Sequence, residues 1–141
     1  MPDDCAFCAI VSGETEAEIV FEDELSLAFL DFRPLFPGHS LLIPREHHAT
    51  LADLPAELVG PLFTNAQLLS TAIRDAMGAT GSFVAMNNVV SQSVPHLHVH
   101  VVPRNRKDGL RGFFWPRRKY ESEEHLAATG AKVRETVAAM A

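Results

Sequence analysis

The sequence lacks the features that several classes of protein require. It has two cysteines among 141 residues, too few for a disulfide framework. It has no apolar run near the ~18 residues of a membrane-spanning helix, and its first residues are acidic where a signal peptide is basic. Lys plus Arg number 12 against 18 Asp plus Glu, a net charge of −6 that argues against general nucleic-acid or anionic-membrane binding. We expect a soluble, cytoplasmic protein.

The composition that remains is that of a folded domain. Hydrophobic residues make up 47% of the chain and charged residues 21%, and nine phenylalanines supply bulk for a core. A chain of this length is sufficient for one domain and hardly for two. We therefore expect a single domain over residues 1–141.

The charges are unevenly distributed along the chain. Residues 1–31 contain nine acidic side chains and no Lys or Arg, whereas residues 104–119 contain seven of the twelve basic ones. The basic segment is either a solvated loop or a patch that attracts a phosphorylated ligand. The aromatic cluster within residues 109–120 either covers a core edge or a dimer seam, or stacks on a base. The sequence leaves both pairs of alternatives open.

Hydrophobic periodicity predicts an α+β fold with an antiparallel sheet, one long helix and a C-terminal helix. The long helix should begin near Asp53 and end at Gly78, with Pro61 disturbing its first turns, and the last helix should begin near Ser122. One or two helical turns are expected over 5–11. Strands are expected at 19–21, 26–30, 39–43, 82–86 and 96–102.

The most informative segment is a row of alternating histidines, His96, His98 and His100. On a strand they would share one face, about 6–7 Å apart, and form an exposed strip. The other face would carry Leu97, Val99 and Val101 to the core. Neutral imidazoles can serve as nucleophiles, proton shuttles or metal ligands. The spacing alone does not separate attack on phosphorus from a zinc site.

This row resembles the signature of the histidine triad (HIT) superfamily of nucleotide hydrolases and transferases. Matching segments occur in the same order over about residues 5–107, which leaves residues 108–141 as a C-terminal extension. They are Cys5-x-x-Cys8, Glu22-Asp23 before Ala28-Phe29-Leu30-Asp31, Pro37-Gly38-His39 before Leu42-Ile43-Pro44, and Gln92-Ser93-Val94.

The resemblance implies a homodimeric α+β protein that binds a purine nucleotide and cleaves at its α-phosphate. It gives His98 the role of the nucleophile, which forms a covalent nucleotidyl-imidazole, while His100 and Ser93 contact the phosphate and assist the leaving group. Asp31 would accept hydrogen bonds from the ribose, and His39 receives no role. The remaining nucleotide contacts would be Phe7, Ile10, Phe29, Phe32, Asn87 and Gln92.

Two departures from the family pattern occur in the loop before the histidines. Ser91 stands where relatives usually carry glycine, and the stretch from Asn87 to His96 is about two residues shorter. Both changes alter the approach of backbone amides to the phosphates, so they bear on leaving-group preference.

The two cysteines are spaced for one metal ion or a redox pair. A metal would need two further ligands, and the chain offers His39, His47, His48, His96 and His125. The resemblance to bacterial HIT proteins implies that Cys5 and Cys8 join His47 and His96. Such a closed tetrahedral set would hold a structural zinc. Two ordinary buried thiols are the alternative.

Three functions therefore compete. The first is a nucleotide hydrolase or nucleotidyl transferase acting through His98 on a dinucleoside polyphosphate or nucleoside phosphoramidate. The second is a zinc-dependent hydrolase whose catalytic metal is held by His96, His98 and a third ligand. The third is a catalytically silent, nucleotide-binding regulatory protein. They differ in chelator sensitivity and in the effect of His98→Ala.

Overall fold

A five-stranded antiparallel sheet forms the centre of the first of two units in this computed structural model, which describes residues 4–111 and 117–140. The spatial order of the strands is β1-β2-β3-β5-β4. The strands are β1 Ile19–Glu22, β2 Ser26–Leu30, β3 Ser40–Pro44, β4 Gly81–Ala85 and β5 Val99–Arg104. The antiparallel α+β fold is therefore confirmed.

The last strand differs from the prediction, because β5 begins at Val99 and not at His96. Leu42 of β3 pairs with Val99, so Pro44 would be the next hydrogen-bonding partner along the ladder. Pro44 has no N–H to donate, and the ladder stops. The amide of Leu97 instead donates to the carbonyl of His48 at 2.7 Å. Of the three histidines in the row, only His100 lies within β5.

Both faces of the sheet are covered. The long helix α2, Ala56–Ala76, packs Leu62, Ala66, Leu69 and Ile73 against Ala28, Leu42, Val99 and Val101. The short helix α1, Ala6–Ser12, contributes to a second cluster with Leu27, Phe29, Leu41 and Ile43. Because side chains alternate along β5, Val99 and Val101 face α2 and His100 faces the α1 side.

Local sequence explains the helix ends. Helix α1 begins after Cys5, whose thiol accepts from the amide of Cys8, and ends at Gly13, which has φ 85°. Helix α2 continues through Pro61 because the missing N–H removes a single hydrogen bond near its first turns. Gly78, with φ 62°, follows its end as predicted. A 3₁₀ turn at Leu51–Asp53 precedes it.

The second unit, residues 109–141, contains α3, Glu123–Met140. None of its described residues is buried, and the apolar residues predicted to share one side are exposed: Leu126, Val133, Val137 and Met140. Residues 112–116, with most of the predicted aromatic cluster, lie outside the described residues. The single-domain organisation stays a prediction. No helix within the described part of the chain has the length and hydropathy needed to cross a bilayer.

Candidate functional site

A cavity of about 730 Å³ lies on the α1 side of the sheet. Its walls come from α1, the segment after α1, the end of β2 and the histidine segment. Eight of the residues assigned to nucleotide binding or catalysis line it: Phe7, Ile10, Phe29, Asp31, Phe32, Ser93, His98 and His100. The first unit therefore brings most of the predicted site to one cavity.

His98 is wedged in the wall of this cavity, with 2% of its surface exposed. Its Nδ1–H donates to the carbonyl of His96 at 2.8 Å. A neutral imidazole carries one proton, so this bond fixes the tautomer and leaves Nε2 with a free lone pair. The ring of Phe7 contacts His98 edge-on, with centroids 5.0 Å apart. His98 is thus held as a base or nucleophile.

A hydrogen-bond chain fixes the protons of His39 and His100. The amide of Leu35 donates to Nδ1 of His39 at 3.0 Å, so the proton of neutral His39 must be on Nε2. That Nε2–H donates to Nδ1 of His100 at 2.9 Å. The proton of neutral His100 is therefore on its own Nε2. His100 is a proton donor in the wall of the cavity that His98 also lines.

Burial keeps these histidines uncharged. It lowers the pKa of His100 to about 4, with smaller contributions from His98 and His39 against the opposing charge of Asp31. It also lowers the pKa of His39, although Asp31 partly opposes the shift. Both rings are neutral near pH 7, as the hydrogen-bond chain requires. The expectation of three imidazoles on an exposed strip was wrong, since His96 and His98 are buried.

Sequence reasoning gave no role to His39. The strand pairing contains the missing signal, because Leu41 lies opposite His100 and His39 is two residues from Leu41 on the same face. Residues at these positions are diagonal neighbours across an antiparallel pair. A pairing of the segment after Pro37-Gly38 with the histidine strand would have predicted the contact.

Asp31 lies beside this chain, with one carboxylate oxygen 3.7 Å from Nε2 of His39. Its other oxygen accepts from the amide of Arg33 at 2.9 Å. Asp31, His39 and His100 place ligand-type atoms within 4.8 Å of one another. They do not suit a metal: a metal on Nε2 of His39 needs a proton on Nδ1, and Nδ1 already accepts from Leu35.

In the loop before the histidines, two predicted nucleotide ligands hydrogen-bond to main-chain groups. Asn87 donates to the carbonyl of Ser91 at 3.2 Å. Gln92 donates to the carbonyl of Ala49 at 2.6 Å and accepts from the amide of Val89 at 2.9 Å. The structure does not bring Asn87 or Gln92 to the cavity lining. Ser91 has φ 62° and Val89 φ 69°, which explains why glycine is usual at the former position.

A second cluster joins Cys5, Cys8, His47 and His96, whose ligand atoms all lie within 4.8 Å of one another. Nδ1 of His96 is 3.4 Å from the Cys5 sulfur and 3.5 Å from the Cys8 sulfur. Nδ1 of His47 is 3.3 Å from the Cys8 sulfur. These four residues could bind a metal ion.

The donor set fits zinc. The Nε2–H of His96 donates to the carbonyl of Pro44 at 2.8 Å, which leaves Nδ1 unprotonated toward the sulfurs. Burial and the neighbouring Cys5 thiol raise the pKa of Cys8 to about 11, so a bound cation would have to displace its proton. Two thiolates and two imidazoles make a closed tetrahedral set, as in structural zinc sites.

This arrangement separates His96 from the chemistry of His98. Both ring nitrogens of His96 are engaged, one by Pro44 and one toward the cysteines. Nδ1 of His98 is engaged by the His96 carbonyl. The structure therefore does not bring His96 and His98 together around one metal, as the zinc-dependent hydrolase required.

Comparison with known proteins gives a consistent family. A model described as HIT domain matches residues 12–107. An adenylylsulfatase of Arabidopsis thaliana, HINT3, is 37% identical over 112 residues, 78% of this chain and 57% of that protein. An adenosine 5′-monophosphoramidase of Schizosaccharomyces pombe, hnt1, is 34% identical over 131 residues, 92% of this chain and 95% of that protein.

Solved structures agree with the fold. A member of the HIT family from Bacillus subtilis matches with a TM-score of 0.86 and 32% identity, covering 94% of this chain and 96% of that one. A zinc-bound histidine triad family protein from Mycobacterium smegmatis matches with a TM-score of 0.73 and 38% identity, covering 94% and 97%. The zinc in that relative agrees with the metal-type donor set described above.

Proposed function

Because this chain belongs to the HIT domain family, we propose that it is a nucleotide hydrolase or nucleotidyl transferase that cleaves at the α-phosphate through His98. One observation carries the proposal. His98 lines a cavity while its Nδ1–H donates to the His96 carbonyl, so Nε2 of the neutral ring has a free lone pair with which to attack a substrate.

The proposed reaction has two steps. In the first, Nε2 of His98 attacks the α-phosphorus, and the bond from phosphorus to the leaving group breaks while the Nε2–H of neutral His100 donates a hydrogen bond to the departing atom, which takes its proton from solvent. In the second, water attacks the phosphorus of the nucleotidyl-imidazole, the bond from phosphorus to His98 breaks, and the proton of the water passes to solvent. The nucleoside monophosphate leaves and His98 is restored. His39 holds His100 in the tautomer that the first step needs.

The cavity walls suit a nucleoside monophosphate. Phe7, Ile10 and Phe29 form an apolar wall for a flat base, and Phe7 and Phe29 contact each other edge-on at 5.3 Å. The Asp31 carboxylate is available to ribose hydroxyls. Ser93 lines the same cavity as His98 and would donate to a phosphoryl oxygen. Substrates would be phosphoramidates, sulfuryl anhydrides or dinucleoside polyphosphates of a purine nucleoside.

We also propose a structural zinc on Cys5, Cys8, His47 and His96, and a homodimer. A bound metal would cross-link α1 to the sheet and would take no part in the reaction of the substrate. A dimer surface is available where β4 ends the sheet and Val84 is 41% exposed. On the outer side of α2, Phe63 and Leu68 are 39% and 50% exposed.

The test is a panel of adenosine and guanosine 5′-phosphoramidates, adenylyl sulfate and dinucleoside polyphosphates. The expected result is release of the nucleoside monophosphate and an acid-labile phosphorus–nitrogen adduct on His98 in quenched reactions. His98→Ala should form no adduct, whereas His125→Ala, on the second unit, should react normally. Nucleotide binding without any turnover would leave the catalytically silent alternative.

A further inference from the structure

The metal-type cluster, formed by Cys5, Cys8, His47 and His96, lies in the same chain segments as groups that contact His98. This arrangement suggests that a bound metal would do more than stabilise the fold. The carbonyl that fixes the His98 tautomer belongs to His96, whose side chain is one of the four potential ligands. The aromatic ring that contacts His98 belongs to Phe7, which lies between the ligands Cys5 and Cys8. Two of the contacts on His98 therefore come from the chain segments that carry the four potential ligands, one through the main chain of His96 and one through the ring of Phe7; the ring of His100 contacts His98 independently at 5.1 Å.

The same ring also shapes the cavity. Phe7 lines it, is 8% exposed, and contacts Phe29 at 5.3 Å and His96 at 6.0 Å between centroids. Its position depends on α1, which has seven residues. Helices this short are not stable in isolation, so tertiary attachments must hold α1 in place. The four-residue cluster attaches the first turn of α1 to the His47 and His96 segments.

We propose that a metal held by Cys5, Cys8, His47 and His96 positions the nucleophile: it clamps Phe7 and the His96 carbonyl against His98 and thereby sets both the cavity wall and the direction of Nε2. This proposal rests on the function proposed above. Phe7 and His96 act as positioning residues, His96 through its main chain. Loss of the metal should release α1, widen the cavity at Phe7, and allow the His98 ring to turn.

The experiment compares zinc-loaded protein with protein treated with a chelator and shown by metal analysis to be zinc-free. Three properties are measured below the unfolding temperature of the zinc-free form: AMP affinity, the ¹⁵N shifts of the His98 ring, and the rate of adduct formation in a single turnover with adenosine 5′-phosphoramidate. In zinc-free protein we expect AMP to bind about tenfold more weakly and adduct formation to slow about 100-fold. The His98 ring should lose its single Nδ1–H tautomer.

Variants separate positioning from loss of stability. Cys8→Ser should reproduce the zinc-free properties, and Phe7→Leu should slow adduct formation while zinc content stays at one per chain. Ile73→Ala is the matched control, because it removes buried volume where α2 packs on the sheet, and Ile73 belongs neither to the four potential ligands nor to the lining of the His98 cavity. It should lower the melting temperature without changing AMP affinity or the His98 tautomer.

Equal AMP affinity and an unchanged His98 tautomer in the zinc-loaded and zinc-free forms would overturn the proposal. So would Ile73→Ala if it changed these properties as much as Cys8→Ser. Failure of the proposed function has a different signature, since the zinc-loaded protein would then form no adduct. The AMP and ¹⁵N measurements would still test the clamp in that case.

Discussion

The first unit has two histidine clusters, and they differ in which ring nitrogen of the imidazole the backbone engages. In the metal-type cluster, the backbone engages Nε2 of His96 through the Pro44 carbonyl, so Nδ1 faces the thiols. In the second cluster, the backbone engages Nδ1 of His98, which lines the cavity, and Nδ1 of His39, which contacts His100, so Nε2 of each ring is left for other contacts. The ring nitrogen that a main-chain group occupies therefore determines which nitrogen is left to bind a metal, attack a substrate or pass on a hydrogen bond.

The two clusters also differ in their neighbours. His96 has two buried thiols within 3.5 Å, and soft sulfur ligands together with imidazole favour zinc. The His39–His100 pair has one carboxylate near it and a ring nitrogen already used by a main-chain amide. The first arrangement is closed by four donors, whereas His98 and His100 line a cavity large enough for a ligand.

The largest expected effect comes from removing the proposed nucleophile, His98. His98→Ala should lower kcat by about 10⁴-fold or more, because among the described residues that line the cavity the other histidine, His100, already accepts a hydrogen bond at its unprotonated nitrogen. The protein should still bind AMP, measured by calorimetry, since the apolar wall and Asp31 remain. Turnover by the alanine variant at a tenth of the wild-type rate would remove His98 from the reaction.

The next effect tests the hydrogen-bond chain from His39 to His100. His39→Leu removes the donor to Nδ1 of His100, which frees that ring to turn or to take the other tautomer. We expect kcat for a phosphoramidate to fall by about 10²-fold with little change in KM, since His39 does not line the cavity. His39→Gln, which can still donate from its amide, should retain more activity. Equal rates in the wild type, His39→Leu and His39→Gln would contradict a role for His39 in holding His100.

A smaller effect is expected in the pH dependence of stability. The pKa of His100 is about 4 in the folded state, below its ordinary value, so below about pH 6.5 the unfolded state binds the extra proton. Stability from the neutral ring is complete above that pH and is lost as pH falls toward 4. With allowance for the partial exposure of His100, we expect the free energy of unfolding to fall by about 2 kcal/mol across this range, as measured by urea unfolding.

His100→Gln supplies the comparison for that measurement. Its free energy of unfolding should depend less steeply on pH between 6.5 and 4 than that of the wild type, because one depressed titration is gone. A parallel pair of curves would mean that His100 is not held neutral by burial.

The smallest effect concerns the loop that carries Ser93. Ser91 adopts φ 62° without being glycine, which costs of order 1 kcal/mol. Ser91→Gly should raise stability by up to about 1 kcal/mol, partly offset by the greater freedom of glycine in the unfolded chain. Thermal unfolding measures it, and a lower melting temperature would show that the serine side chain stabilises the turn.

Periodicity predicted most of the fold, because α2, β2 and the antiparallel sheet follow from local pattern. The family pattern also grouped residues that lie together in the structure, namely four potential metal ligands within 4.8 Å of one another and eight residues that line one cavity. The exposure of the histidines could not be predicted, since the covering of the α1 side depends on Phe7 and on the attachment of α1. The hydrogen bonds of Asn87 and Gln92 to the carbonyls of Ser91 and Ala49 could not be predicted either, because they depend on this chain's loop geometry. The contact of these two side chains with a nucleotide stays a prediction.

Pro44 has no reactive group, yet it marks the border between the two halves of the histidine row. Its missing N–H ends the sheet before the row is complete, and its carbonyl turns the first ring away from the other two. Transplanting this centre onto another scaffold would therefore require the interruption along with the imidazoles. Three histidines on one uninterrupted strand would have equivalent positions, and none of them would be set apart for a different role.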